Sequence, residues 1–152
     1  MRTDLLPKTG TLSETVHFHF HYFKPIFIFD VINTIIMSNQ IQEFNEYRSR
    51  MNEVILTKDN LVLKRLYNLD TNAYAEGALP VRTKEMLGLV ASMVLRCDDC
   101  IKYHLGKCHE NGVSTDEVYE IFAVANIVGG TIVIPHTRRA AEYWECLTAP
   151  QS

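Results

Sequence analysis

Two thiols, an imidazole and a carboxylate make up the chemistry-bearing group of this sequence. Cys97 and Cys100 stand in the run Arg96-Cys97-Asp98-Asp99-Cys100-Ile101-Lys102-Tyr103-His104, with Glu85 twelve positions before the first thiol. Cysteines three apart on a helix project from nearly one face, about one turn apart, and can close a short disulfide without unwinding the backbone. At about 100° per residue, Cys97, Cys100 and His104 fall within an arc of roughly 60°. His104 stands at i+4 from Cys100, close enough to take its proton. A thiol near its ordinary pKa of about 8.5 is only a few per cent thiolate at neutral pH, so a nearby base or a helix N-terminus must activate it. A second sulfur is needed to capture a sulfenic acid before it oxidises further. Asp98 and Asp99 pull the other way, since negative charge beside a thiol raises its pKa, although acids also suit a helix N-terminus. The pattern is that of a thiol redox enzyme.

The elements that must position these groups read as helices. Ser38 is the expected cap of a first, amphipathic helix carrying Ile41, Phe44, Tyr47, Met51, Val54 and Ile55 at helical spacing. A second apolar segment, Leu61 to Leu69, is bounded by Lys58-Asp59-Asn60 and Asp70-Thr71-Asn72. Thr83 is expected to cap a third helix, with Glu85 near its head and a body so apolar that most of its circumference should be buried. A fourth runs from about Asp98 to Asn111 and stops at Gly112, with the thiols at its N-terminus. Ser114 to Glu117 matches a capping box opening a fifth helix, which ends at Gly129-Gly130. The β-branched run Thr131 to Pro135 has no partner strand and reads as the approach to a sixth helix, His136 to Leu147. The expected fold is an all-α bundle of antiparallel hairpins.

A chain of 152 residues with 47% apolar content has the size of one domain with a proper core. Its net charge of −3, without a basic stripe interleaved with aromatics, argues against nucleic-acid binding. Four cysteines, two of them scattered (Cys108 and Cys146), do not form a secreted disulfide framework, which points to a reducing, cytoplasmic compartment. Cys108 falls on the thiol stripe but about 16 Å along the axis from Cys97, too far for a disulfide within the helix. Residues 1–36 differ in composition from residues 37–152, which form the expected helical domain. Met37 is a natural alternative start. Within that leader, Thr15 to Phe23 alternates like a strand, with His17, His19 and His21 on one face, a pattern that could bind metal but lacks a thiol or carboxylate partner. The following apolar run is shorter than the about 20 residues of a bilayer span and contains Asp30, and no signal-peptide cleavage pattern follows it.

The span from Glu85 through the CxxC and His104, then Gly112 to Glu117 and the helix to Gly130, resembles the carboxymuconolactone decarboxylase family, especially its alkylhydroperoxidase-D-like branch. The likeness covers most of residues 80 to 147. It implies an AhpD-like helical bundle and a peroxidase or disulfide oxidoreductase of peroxiredoxin type. In that branch one cysteine attacks a hydroperoxide and the other resolves it. The match suggests Cys100 as attacker, Cys97 as resolver, and Glu85 with His104 as proton relay. The residues alone leave the attacker open, because in thioredoxin-like CxxC pairs the N-terminal cysteine has the depressed pKa. This chain carries Asp99 where the family's hydroperoxidase has a histidine. The resemblance further implies a hydroperoxide or small electrophile as substrate, a lipoyl or thioredoxin-like dithiol as reductant, a trimer or hexamer, and no bound cofactor. Two other readings stand beside it: a lactone decarboxylase relying on acid–base groups alone, and a zinc-binding module built on Cys97, Cys100, His104 and Glu85.

Overall fold

The structure, a computed structural model, describes the backbone of residues 25–150 and the side chains of residues 39–150. The strand-like run Thr15 to Phe23 and its three histidines lie outside the described residues. The chain forms α1 (Pro25–Leu56), α2 (Leu61–Ala73), α3 (Val81–Val94), α4 (Asp98–Glu110), α5 (Thr115–Gly129), a 3-10 turn over Thr131–Val133, and α6 (Ile134–Thr148). It is all-α, and among the described residues there is no strand. No helix among them is long and apolar enough to cross a membrane.

Several boundaries differ from the expectation for local physical reasons. Ser38 does not stand at a helix start, because the backbone of α1 passes through it as continuous helix. The cap of α3 is Pro80, in extended conformation and without a side-chain bond, so Thr83 lies inside the first turn. Helix α2 outruns its turn formers: Thr71 Oγ1 donates to the Tyr67 carbonyl at 3.0 Å and Asn72 Nδ2 to Asn68 Oδ1 at 2.8 Å, bonds across one turn that carry it to Ala73. The run after Gly130 becomes a 3-10 turn that feeds straight into α6, where Pro135 occupies the first turn and loses no hydrogen bond there.

Helix α3 packs on α4 and α5, α4 packs on α6, and α1 crosses α6. The core lies between them, with Leu89, Met93, Leu105, Val118 and Trp144 almost wholly buried. The Trp144 indole N–H is satisfied by Thr115 Oγ1 at 3.1 Å, as a buried polar group requires. Helix α3 buries one stripe only, Glu85, Gly88, Leu89, Ser92 and Met93, while Leu87 and Leu95 are exposed. The expectation of near-complete burial fails because α4 and α5 cover just two sides of it. Helix α2 has no buried residue and displays Leu61, Val62, Leu66 and Leu69.

The capping box is formed: Glu117 N–H donates to Ser114 Oγ at 3.3 Å and Ser114 N–H to Glu117 Oε2 at 2.8 Å. Arg82 in the first turn of α3 donates to the same carboxylate oxygen, fastening the starts of α3 and α5 together. The Arg82 guanidinium, followed by the Ser114 backbone and hydroxyl, lowers the Glu117 carboxyl from 4.5 to about 2. A carboxyl depressed in the folded state stabilises fully above its ordinary value, and that contribution fades as pH falls toward the folded one. Replacing Glu117 by Gln should therefore lower the urea midpoint at pH 7, and the gap from wild type should narrow as pH falls from about 4.5 toward 2. A gap that stays constant with pH would contradict this.

Candidate redox site

The turn between α3 and α4 places the first sulfur. Helix α3 ends with Arg96 at φ 61°, a left-handed conformation unfavourable for a side-chain-bearing residue. The amide of Cys97 donates to the Ser92 carbonyl at 3.1 Å and that of Arg96 to Met93 at 3.0 Å, the paired bonds of a Schellman motif. The residue that completes this motif is Cys97, and it is also the N-cap of α4, in extended conformation, with Sγ accepting the amide of Cys100 at 3.4 Å. Only Cys100 is therefore on the helix proper, and the pair straddles the helix boundary. The two sulfurs are joined as a disulfide, with a Cα–Cα separation of 5.3 Å. Cys100 is exposed and Cys97 partly buried. The positive end of the α4 dipole lies at both.

Glu85 and His104 meet between the two helices. Nδ1 of His104 lies 2.7 Å from Glu85 Oε2, and both residues are buried, at 7% and 3% exposure. A carboxylate at that depth needs a donor, and Nδ1–H supplies one. In the neutral ring the other nitrogen, Nε2, is an acceptor, and the Tyr74 hydroxyl stands 3.4 Å from it. Burial, and next the charge of Glu85, push the Tyr74 hydroxyl above its usual pKa, which keeps it a donor. Gly88, one turn along α3 from Glu85, makes room for the ring: a Cβ there would stand 2.6 Å from His104 Cε1 and 2.6 Å from the Tyr74 hydroxyl.

Cys100 and His104 open onto one cleft of about 280 Å³. Its walls are Phe44, Tyr47, Arg48, Met51 and Asn52 of α1, Asp70 of α2, and Asp99 and Tyr103 of α4. The Arg48 guanidinium lies 4.0 Å from the centre of the Tyr103 ring, a cation–π contact that packs α1 on α4. Glu85 sits behind His104, away from solvent. The arrangement joins a solvent-accessible sulfur, a second sulfur bonded to it, and a buried acid–imidazole pair that borders the same cavity. Among the described residues, no cluster of three or more His, Cys, Asp or Glu side chains is placed to hold a metal ion. The four groups of the zinc reading instead engage each other in pairs. Cys108 is fully buried, and burial, then Glu85, push its thiol up to about 12, so it is inert at neutral pH. Cys146 is buried too, with its thiol raised mainly by that burial.

Tyr74, Gly88, Arg48 and Tyr103 were not legible as site residues. Gly88 carried the one usable signal, a glycine three positions after Glu85 and so on the same face of an otherwise apolar helix. Tyr74 lies 30 positions from His104, and no local pattern connects them.

The profile of the carboxymuconolactone decarboxylase family matches residues 60–143, more than half of the chain. Two crystal structures of one Thermotoga maritima protein superpose with TM-scores of 0.67 and 0.66, at 51% and 50% identity. They cover 68% of this chain and 91% and 87% of theirs. That protein is described as a carboxymuconolactone decarboxylase family member with a suggested involvement in an antioxidative response. A family member from Legionella pneumophila, crystallised in its apo form, shares the fold at 20% identity with a TM-score of 0.56, over 76% of this chain and 97% of its own. An uncharacterised protein of Cupriavidus necator is 25% identical over 77 residues, 51% of this chain and 68% of its own length. With the helical fold and most of the α2–α6 region matched, this chain belongs to the carboxymuconolactone decarboxylase family.

Proposed function

We propose that the protein is a thiol-dependent peroxidase that reduces organic hydroperoxides at Cys100. The observation that carries this reading is the shared cleft: the exposed Cys100 lines it together with His104, whose far side is bonded to buried Glu85. The Cys100 thiolate attacks the outer oxygen of the hydroperoxide and the O–O bond breaks. Oxygen stays on sulfur as a sulfenic acid, and the alcohol leaves after taking up the proton that His104 received from the Cys100 thiol. Cys97 gives up its thiol proton, which leaves with the sulfenic oxygen as water, and its sulfur forms the Cys97–Cys100 disulfide. The two electrons return from an external dithiol, of lipoyl or thioredoxin-like type, by thiol–disulfide exchange. The order of roles is supported by exposure. Cys100 is reached from the cleft, whereas Cys97 is held in the cap, where the N-terminal dipole favours the thiolate that resolution needs.

The lactone decarboxylase reading has no use for paired sulfurs, and the placing of Cys97 and Cys100 together at the start of α4 beside the cleft favours the redox one. The α1 wall lies upstream of the family-matched region, so the chemistry belongs to the shared part while α1 shapes what enters the cleft. The exposed apolar residues of α2 and the end of α5, where Ile127 is 87% exposed, support self-association as a homo-oligomer. The compartment proposed is the cytoplasm, where a dithiol reductant is available.

Cys100→Ser should abolish consumption of an organic hydroperoxide supplied with a dithiol. Without its resolver, Cys97→Ser should stop at a sulfenic acid on Cys100 after one hydroperoxide and pass to sulfinic acid only with a second equivalent, both read by mass spectrometry. Glu85→Gln and His104→Gln should each slow turnover by about 100- to 10,000-fold. Full turnover by Cys100→Ser would refute the assignment. Separately, Gly88→Ala should lower stability by about 1–3 kcal/mol in urea unfolding and slow turnover, because the added methyl displaces the ring that Glu85 holds. A neutral result would place that space elsewhere.

A further inference from the structure

Asp98, the residue after Cys97, is not free beside the sulfurs. His136 Nδ1 lies 2.7 Å from Asp98 Oδ1, and Arg139 Nη2 lies 3.2 Å from Oδ1 and 3.0 Å from Oδ2, both reaching from α6 across 38 and 41 positions of sequence. Arg139 also comes within 2.9 Å of the His136 nitrogen, so the three groups form one cluster at the first turn of α4. Burial alone would raise the Asp98 carboxyl, but its bonds to His136 and Arg139 outweigh that and hold it below the usual range. Among the charged groups of the same stretch of chain, Arg96 is exposed, Asp99 lines the cleft, and Lys102 shares a small hollow with Asp98 and Arg139.

We propose that His136 and Arg139 are positioning residues for the CxxC pair, clamping the first turn of α4 to α6 and cancelling the Asp98 charge so that it does not oppose thiolate formation. The inference rests on the reading of Cys97 and Cys100 as the reactive thiols. Of the two acids inside the motif, the clamp neutralises one. Of the two, only Asp99 is left to act on the cleft, which Asp70 of α2 also lines. The cluster does not touch the cavity in which the hydroperoxide would react, and its effect passes through the geometry and charge of the turn.

The test is the pH dependence of alkylation of the reduced protein by iodoacetamide, resolved at Cys97 and Cys100 by mass spectrometry under argon. Arg139→Gln should move the alkylation midpoint up by about half a pH unit, about threefold less thiolate below it, because the carboxylate is unmasked. In an Asp98→Asn background the same substitution should leave the midpoint where it is. Equal shifts in both backgrounds would mean that the Arg139 charge acts on the thiols directly and not through Asp98, and either that result or no shift with Asp98 present would overturn the proposal. His136→Asn, which leaves Arg139 in place, carries the same comparison if Arg139→Gln does not fold, as judged by circular dichroism. Absence of hydroperoxide turnover in wild type would refute the peroxidase reading while leaving these midpoints measurable, so the two failures are distinguishable.

Discussion

The contact between Glu85 and His104 is the constraint around which the site is organised. A carboxylate with 3% exposure is expensive to bury alone, and here its cost is met by one imidazole N–H at 2.7 Å. That pairing fixes how α3 and α4 lie against each other, since each contributes one partner from its buried stripe. It also orients the imidazole, because Nδ1 is committed to Glu85 and Nε2 is thereby turned toward the Tyr74 hydroxyl. Gly88 is small because the ring passes where its side chain would be, and Tyr74 turns its hydroxyl inward because an acceptor waits there.

The thiols are held by a different device acting on the same two helices. A Schellman ending of α3 runs directly into the N-cap of α4, so one residue, Cys97, serves both helices at once. The strain at Arg96 is the local cost of this tight reversal, and it persists because the helices on either side are packed. The sulfurs therefore emerge at a helix start, where partial positive charge favours a thiolate. The second of them opens onto a cleft whose far wall, α1, comes from a separate part of the chain.

How much of this could be read beforehand follows from the range of the interactions involved. Local signals were legible: the Ser114–Glu117 capping box, the glycine after α4 with its φ of 69°, and the helical run of each apolar segment. The four chemistry-bearing residues were legible because their spacing along two helices is itself a short-range pattern. Tertiary packing decided what was missed. The burial of α3 was overestimated because hydrophobicity says how much of a helix can be covered, while only neighbouring helices say how much is. Ser38 reads as a cap in isolation, yet α1 continues through it. Tyr74 beside His104, Arg48 over Tyr103, and His136 on Asp98 all join residues 30 or more positions apart, and no periodicity encodes such meetings.

The most direct measurement is a single turnover of the fully reduced protein with one equivalent of an organic hydroperoxide, following the alcohol released and the mass of the peptide spanning Cys97 and Cys100. The account predicts one alcohol and one intramolecular disulfide for each hydroperoxide consumed, with the reaction slowed when Glu85 is replaced by Gln. Hydroperoxide that survives the reduced thiols, or consumption at an undiminished rate without the Glu85 carboxylate, would contradict it.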